Sequence, residues 1–174
     1  QNPAPEAKKQ PQETVTSFVK VAQQAYQGQD YHGARKAYSK AFFACSDSAQ
    51  REELVSKLKQ VNQKYLYSRK ATPGIKIYKV QSGDSLGAIA RKEGVNWRIL
   101  KRVNKLKSSM IRIGQRLRIY TGSFAIEIDC QRFELVLTHN GDVLRSFKIA
   151  IGKDDRTPIG KFTIEERIIK PTWY

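Results

Sequence analysis

The spacing of apolar residues changes twice along the chain. From Val15 to about Tyr67 they recur at helical intervals. Phe18, Val21, Ala22, Ala25 and Tyr26 form one stripe; Ala34, Ala37, Tyr38, Ala41 and Phe42 form a second; Leu54, Val55, Leu58, Val61, Tyr65 and Leu66 form a third. Gly28-Gln29-Asp30 and Ser46-Asp47-Ser48 interrupt them with residues that favour turns and caps. The pattern predicts three helices, the first capped by Thr14, with small alanines facing aromatics so that two antiparallel helices approach closely. His32, in the first inter-helix turn, reads as a solvent-exposed residue and not a ligand.

Ala71-Thr72-Pro73-Gly74 marks a boundary, because proline biases its predecessor toward extended geometry. Ile75, Ile77, Tyr78 and Val80 then make a β-prone run that ends at Ser82-Gly83. Asp84 stands where a helix N-cap belongs, and Leu86, Ile89 and Ala90 follow at helical spacing up to a left-handed Gly94. Asn96 is placed to cap a second helix carrying Trp97, Leu100 and Val103. Gly114 turns the chain into a strand with Leu117 and Ile119. The segment reads as a βααβ unit with one small core.

After Thr121-Gly122-Ser123 the period is two. Phe124, Ile126 and Ile128 alternate with Ala125, Glu127 and Asp129, and Phe133, Leu135 and Leu137 with Glu134, Val136 and Thr138. Asn140-Gly141 is a strong hairpin turn, since both residues tolerate positive φ. Val143 to Ile151 returns as a strand, Gly152 to Gly160 is a polar loop, and Phe162-Thr163-Ile164 begins another strand. The fold class is therefore multidomain α+β: a small helical unit at 14–70, a βααβ module at 75–121 and a partial all-β domain at 122–174. Residues 1–13, with Pro3, Pro5 and Pro11, read as a disordered tether.

Composition narrows the classes. Hydrophobic content of 40% supports globular cores, and no apolar run approaches bilayer length. Because the first residue is Gln1, the chain is expected to be a processed product, with any export signal or membrane anchor removed upstream. Cys45 and Cys130 show neither metal-ligand spacing nor a disulfide framework, so both are expected to be buried or incidental thiols. No metal or cofactor is expected.

Formal charge is +16, and 12 of the 32 basic residues fall at 75–121 against only Asp84 and Glu93. The net +10 of that segment attracts polyanions. Anionic wall polymers and peptide carboxylates fit. Nucleic acid fits on charge alone, but no recognised nucleic-acid motif accompanies it.

Tyr78 and Val80, Gly83-Asp84-Ser85-Leu86, Ile89-Ala90, Trp97, Leu100, Asn104 and Gly114-Gln115-Arg116-Leu117 closely resemble the LysM family of cell-wall glycan-binding modules. The resemblance implies binding to N-acetylglucosamine-containing polymers such as peptidoglycan, in a shallow groove between two loops. Its residues here would be Gly83, Asp84, Ser85 and Leu86 on one side and Ser109, Met110, Ile111, Arg112 and Ile113 on the other. Ile89, Leu100 and Leu117 are core in this reading, and Asp84 is more a cap than a ligand. The run Ala22, Gly28, Tyr31, Ala34, Tyr38 and Ala41 resembles a single tetratricopeptide repeat, which implies either a protein-docking surface or a spacer with its own core.

The order of hairpin, Ile151-Gly152-Lys153, Thr157-Pro158-Ile159-Gly160-Lys161-Phe162-Thr163-Ile164 and Pro171-Thr172-Trp173-Tyr174 looks like the first half of an L,D-transpeptidase catalytic domain. Members of that family attack a tetrapeptide stem with a cysteine thiolate, set in a Ser-x-Gly-Cys motif and paired with an upstream histidine. Cys130 and His139 lack that context, so 122–174 reads as a truncated domain without catalytic residues, and the chain alone as inactive. The sequence thus reads as the N-terminal part of a cell-wall L,D-transpeptidase in the cell envelope, periplasm or wall, that cross-links or modifies peptide stems through an acyl-enzyme. A non-catalytic LysM wall-binding or anchoring protein is the alternative.

Overall fold

The computed structural model describes residues 12–68, 71–152 and 157–164. Three helices come first: α1 (Gln12–Gln27), α2 (Tyr31–Ala44) and α3 (Ser48–Leu66). The first begins at Gln12, so Thr14 lies inside its opening turn and does not cap it; its carbonyl accepts from the Ser17 hydroxyl instead. Asp30 caps α2 by accepting from the Gly33 amide, and Asp47 caps α3 by accepting from that of Gln50. The spacing therefore located both breaks.

A βααβ unit follows, with β1 (Ile75–Lys79), α4 (Leu86–Lys92), α5 (Trp97–Val103) and β2 (Arg116–Tyr120). Its strands pair antiparallel from Ile75 opposite Tyr120 to Lys79 opposite Arg116. Tyr78, Val80, Leu86, Ile89, Ala90, Leu100, Leu117 and Ile119 form its core. Gly94 and Gly114 both have positive φ, where an L side chain is strained.

The last sheet has the order β3-β4-β5, from β3 (Phe124–Asp129), β4 (Glu134–His139) and β5 (Asp142–Lys148). The Asn140-Gly141 turn joins β4 to β5 with both residues at positive φ. The third predicted strand stops at Lys148, short of Ile151, and Phe162–Ile164 is irregular and exposed. Pro171–Tyr174 lies outside the described residues.

The helices do not close a core by themselves. Val136 of β4 and Val143 of β5 belong to the same buried cluster as Ala22, Ala34, Phe42, Leu58 and Val61. Polar side chains fasten this contact. Arg51 pairs with Glu134 at 2.8 Å, and Asn62 donates to the carbonyls of Val143 and Leu144. Helices and sheet form one body, and the βααβ unit keeps a second core.

The three segments meet around Arg35, which has 0% of its surface exposed. Its Nη2 donates to the carbonyls of His139 (2.6 Å) and Asp142 (2.8 Å), and its guanidinium lies over the Tyr65 ring. The Tyr65 hydroxyl donates to the Pro73 carbonyl, Tyr120 to that of Leu66, and Arg118 to that of Ser68. His139 Nε2 is 2.8 Å from the Thr121 carbonyl; that oxygen only accepts, so Nε2 carries the proton. His32 is in the first turn of α2, half-buried and 6.0 Å from the Tyr65 ring. The expectation of an exposed turn residue fails because α2 packs this turn onto α3. Gly122 has positive φ, and a Cβ there would come within 2.0 Å of the Asn140 side chain. Only glycine lets the linker pass this close.

Candidate binding site of the βααβ unit

Two loops flank the open end of the unit. The first runs from Val80 to the start of α4, the second from Ser108 to Gln115. They are tied together at their roots, where the Val80 amide donates to the Gln115 carbonyl and the Gly114 amide to the Val80 carbonyl. Gln115 fastens the second loop further, its Oε1 accepting from the Arg112 amide.

In the first loop, Ser85 caps α4 by accepting from the Ala88 amide. Asp84, expected to hold that place, accepts instead from the Tyr78 hydroxyl (2.9 Å) and the Gln81 amide (2.7 Å). The carboxylate closes the turn back onto β1, one residue too early to reach the helix amides. This hydrogen bond is the main cause that pushes the Tyr78 phenol pKa up, with burial second. Leu86 is 2% exposed and belongs to the core, so its side chain offers no surface to a ligand. Gly83 is exposed, and a Cβ added there would meet open space.

In the second loop, Met110 and Ile113 are 84% and 73% exposed, and Ser109 and Arg112 are exposed beside them. Ile111 turns inward and packs against the core. Met110, Arg112, Ile113 and Gln115 line a depression of about 520 Å³. Gly83 to Leu86 do not contribute to its lining. Gln115 stands in the Gly114-Gln115-Arg116-Leu117 closing motif, and its amide joins the site only when the loop is folded. Two apolar side chains held outward on a pinned loop, with an amide and a guanidinium beside them, can stack on a sugar ring and hydrogen-bond its hydroxyls.

The thiols and histidines elsewhere do not assemble a nucleophile and base. His139 pairs with Phe124 at one end of the β3–β4 ladder, and Cys130 follows the other end, where Asp129 pairs with Glu134. The β3–β4 ladder lies between them, about 17 Å from its first pair to its last at ~3.4 Å per residue. Cys45 is buried, with the Asp47 carbonyl and Gln50 Oε1 both within reach of its single S–H. Burial holds the His139 pKa below its ordinary value against the opposing pull of the Thr121 carbonyl.

The βααβ unit with its two pinned loops and the meander that follows each correspond to a known family. Residues 78–119 match the LysM domain, and residues 123–174 match the L,D-transpeptidase catalytic domain. The chain carries a LysM domain followed by part of an L,D-transpeptidase catalytic domain. Over 42 residues it is 50% identical to the probable peptidoglycan endopeptidase LytE of Bacillus subtilis (strain 168). That alignment covers 24% of this chain and 13% of LytE, so the similarity is to one module and not to the whole relative. No solved structure matches. Among the described residues no helix is long and apolar enough to cross a membrane.

Proposed function

We propose that this chain holds a cell-wall L,D-transpeptidase on its polymer. The LysM domain takes the N-acetylglucosamine-containing glycan of peptidoglycan. The adjoining domain belongs to an enzyme that cross-links or modifies peptide stems through a cysteine acyl-enzyme, in the extracytoplasmic envelope. The observation that carries the reading is the succession of the two matched domains at 78–119 and 123–174. In the fold they are joined by a three-residue link whose Thr121 carbonyl is bonded to His139. Gly83, Ser85, Ser109, Met110, Arg112 and Ile113 offer the exposed sugar-facing surface, with Asp84, Leu86 and Ile111 shaping it from beneath. The working division is a tether at 1–13, helices at 14–70, LysM at 75–121 and the transpeptidase segment at 122–174. The helices serve the last segment as a platform and offer their outer face to a protein partner.

The present residues are expected to take no acyl group, since about 17 Å of strand separates Cys130 from His139. The binding test separates sugar recognition from charge. Sedimentation with purified peptidoglycan should weaken as salt rises, because exposed charges lose reach when the Debye length falls to roughly 3 Å at 1 M. A residual signal should persist, chitin oligomers should compete for it, and Met110→Lys should remove it. If chitin oligomers fail to compete while duplex DNA displaces the chain completely, the sugar reading is wrong.

A further inference from the structure

A cavity of about 540 Å³ opens between α3 and β5, well away from the LysM loops in sequence and built on the other core. Leu58 and Leu66 from α3 and Leu144 and Phe147 from β5 supply apolar wall. In the order β3-β4-β5, and among the described residues, β5 is hydrogen-bonded to another strand on one side only. Near the hairpin its other side is served by helix side chains. The Val143 amide donates to Ser39 Oγ at 2.9 Å, and Asn62 Nδ2 donates to the carbonyls of Val143 and Leu144 at 3.0 Å each. From Arg145 to Lys148 no side chain among the described residues takes over that task. A strand edge that the described residues leave open, beside an apolar channel, is the arrangement that accepts another strand.

Two features say what the occupant carries. Asn62 is 4% exposed and lines the cavity, yet its Oδ1 has no hydrogen-bond partner among the described residues. The two strand carbonyls can only accept, so they fix Nδ2 toward the strand and leave Oδ1 as an acceptor needing a donor. A buried amide oxygen left so is costly, and a main-chain N–H satisfies it. The charged groups in the lining are Lys59 and Arg145, both exposed cations, and no carboxylate lines the cavity among the described residues.

We propose that this groove binds an extended peptide bearing carboxylate groups, which adds to β5 as a fourth strand. Its backbone pairs with Arg145–Lys148 and gives an N–H to Asn62 Oδ1. An apolar side chain enters between Leu58, Leu66 and Leu144, and a carboxylate settles between Lys59 and Arg145. The site is independent of the sugar surface and of the function proposed above.

The test uses the 174-residue chain and the probe fluorescein-Val-Thr-Val-Thr-Val-Glu with a free terminal carboxylate, read by anisotropy and by amide shifts in two-dimensional NMR. Saturable binding is expected, with shifts concentrated at Arg145–Lys148 and the Asn62 side-chain amide. Converting both carboxylates to amides should weaken it roughly fivefold to tenfold, as should Lys59→Glu with Arg145→Glu, whose exposed positions leave the melting point unchanged. N-methylation of alternate peptide amides should abolish it. The proposal is overturned by no saturation up to about 1 mM, by equal binding of the N-methylated probe, or by shifts confined to residues 78–119, where the cationic module would be acting as a simple polyanion trap. It is equally overturned if the β5 edge pairs with a second copy of the chain and the probe does not displace it.

Discussion

Arg35→Met tests whether helices and sheet are one cooperative body. The guanidinium is wholly buried, donates to two main-chain carbonyls across the junction, and lies 3.5 Å from an Asp142 oxygen. Burial lowers its pKa and Asp142 opposes that shift, which is the signature of a charge kept inside by its partner. Methionine replaces the aliphatic stem but leaves the His139 and Asp142 carbonyls without this donor and the carboxylate unpaired. Removing one member of a buried pair costs about 3–5 kcal/mol. The Asp142 side chain retains 15% exposure and is partly solvated, so the lower end, about 3 kcal/mol, applies here. With a urea m-value of roughly 1–3 kcal/mol/M, the midpoint should fall by about 1–3 M. Amide signals followed through a urea titration separate the two cores. Signals from α2, α3, β4 and β5 should lose together at the lower midpoint, while those of β1, α4 and β2 should barely move. Adding Asp142→Asn should recover part of the loss, because no carboxylate is then left without its cation. A midpoint shift under about 0.3 M, or an equal shift in both cores, would falsify the single-body account.

The neutral, buried His139 predicts an acid-labile junction: its folded pKa lies below the unfolded value of about 6.5, so the unfolded chain binds more protons in acid. Stability should be full above about pH 6.5, fall as pH drops toward the folded pKa and level off beneath it; a pH series of melts in which His139→Gln keeps the same slope would assign the effect elsewhere. Ser85→Ala should cost the LysM domain about 1 kcal/mol through its lost cap, whereas Asp84→Ala should instead loosen the Tyr78 and Gln81 contacts and shift the Tyr78 phenol pKa down, readable by ultraviolet titration. Gly122→Ala should destabilise more than Gly83→Ala in thermal melts, since both have positive φ but only the former meets a neighbour.

The helices and the βααβ unit were legible because their signals are local. Asp30, Asp47 and Asn96 cap the helices that follow them, and the stripes at Ala34 to Phe42 and Leu54 to Tyr65 are buried. Asp84 shows the limit of such reading. Asp84 and Ser85 are both good caps and adjacent, and the choice between them depends on the Tyr78 hydroxyl lying across the turn. The partial burial of His32 escapes the sequence for a related reason, since it comes from α3, a helix that starts sixteen residues later. The loop from Ser108 to Gln115 could be placed by the motif that closes it, but which of its residues point outward could not. Ile111 turns in while Met110 and Ile113 stay out, a distinction set by loop geometry and not by hydrophobicity.

The last sheet shows why alternation alone does not say which face is inside. Phe124, Ile126, Ile128 and Phe147 share the more apolar face, yet each is about half exposed. The face turned to the helices carries Glu134, Val136, Thr138 and Ser146. Burying such a surface is unfavourable unless every polar group is met. Here Glu134 takes both Arg51 and the Ser146 hydroxyl, Thr138 reaches the Ala125 carbonyl, and the adjoining backbone of Val143 is satisfied by Ser39 and Asn62. Arg35, Ser39, Arg51 and Asn62 break the apolar stripes of α2 and α3, and they are the residues that recognise this face. The helical segment is thus fitted to its sheet by polar matching, with Val136 and Val143 as the apolar centre of the contact. That makes the helices part of the transpeptidase segment's foundation, and among the described residues it leaves the face of Phe124, Ile126 and Ile128 for contacts that the helices do not supply.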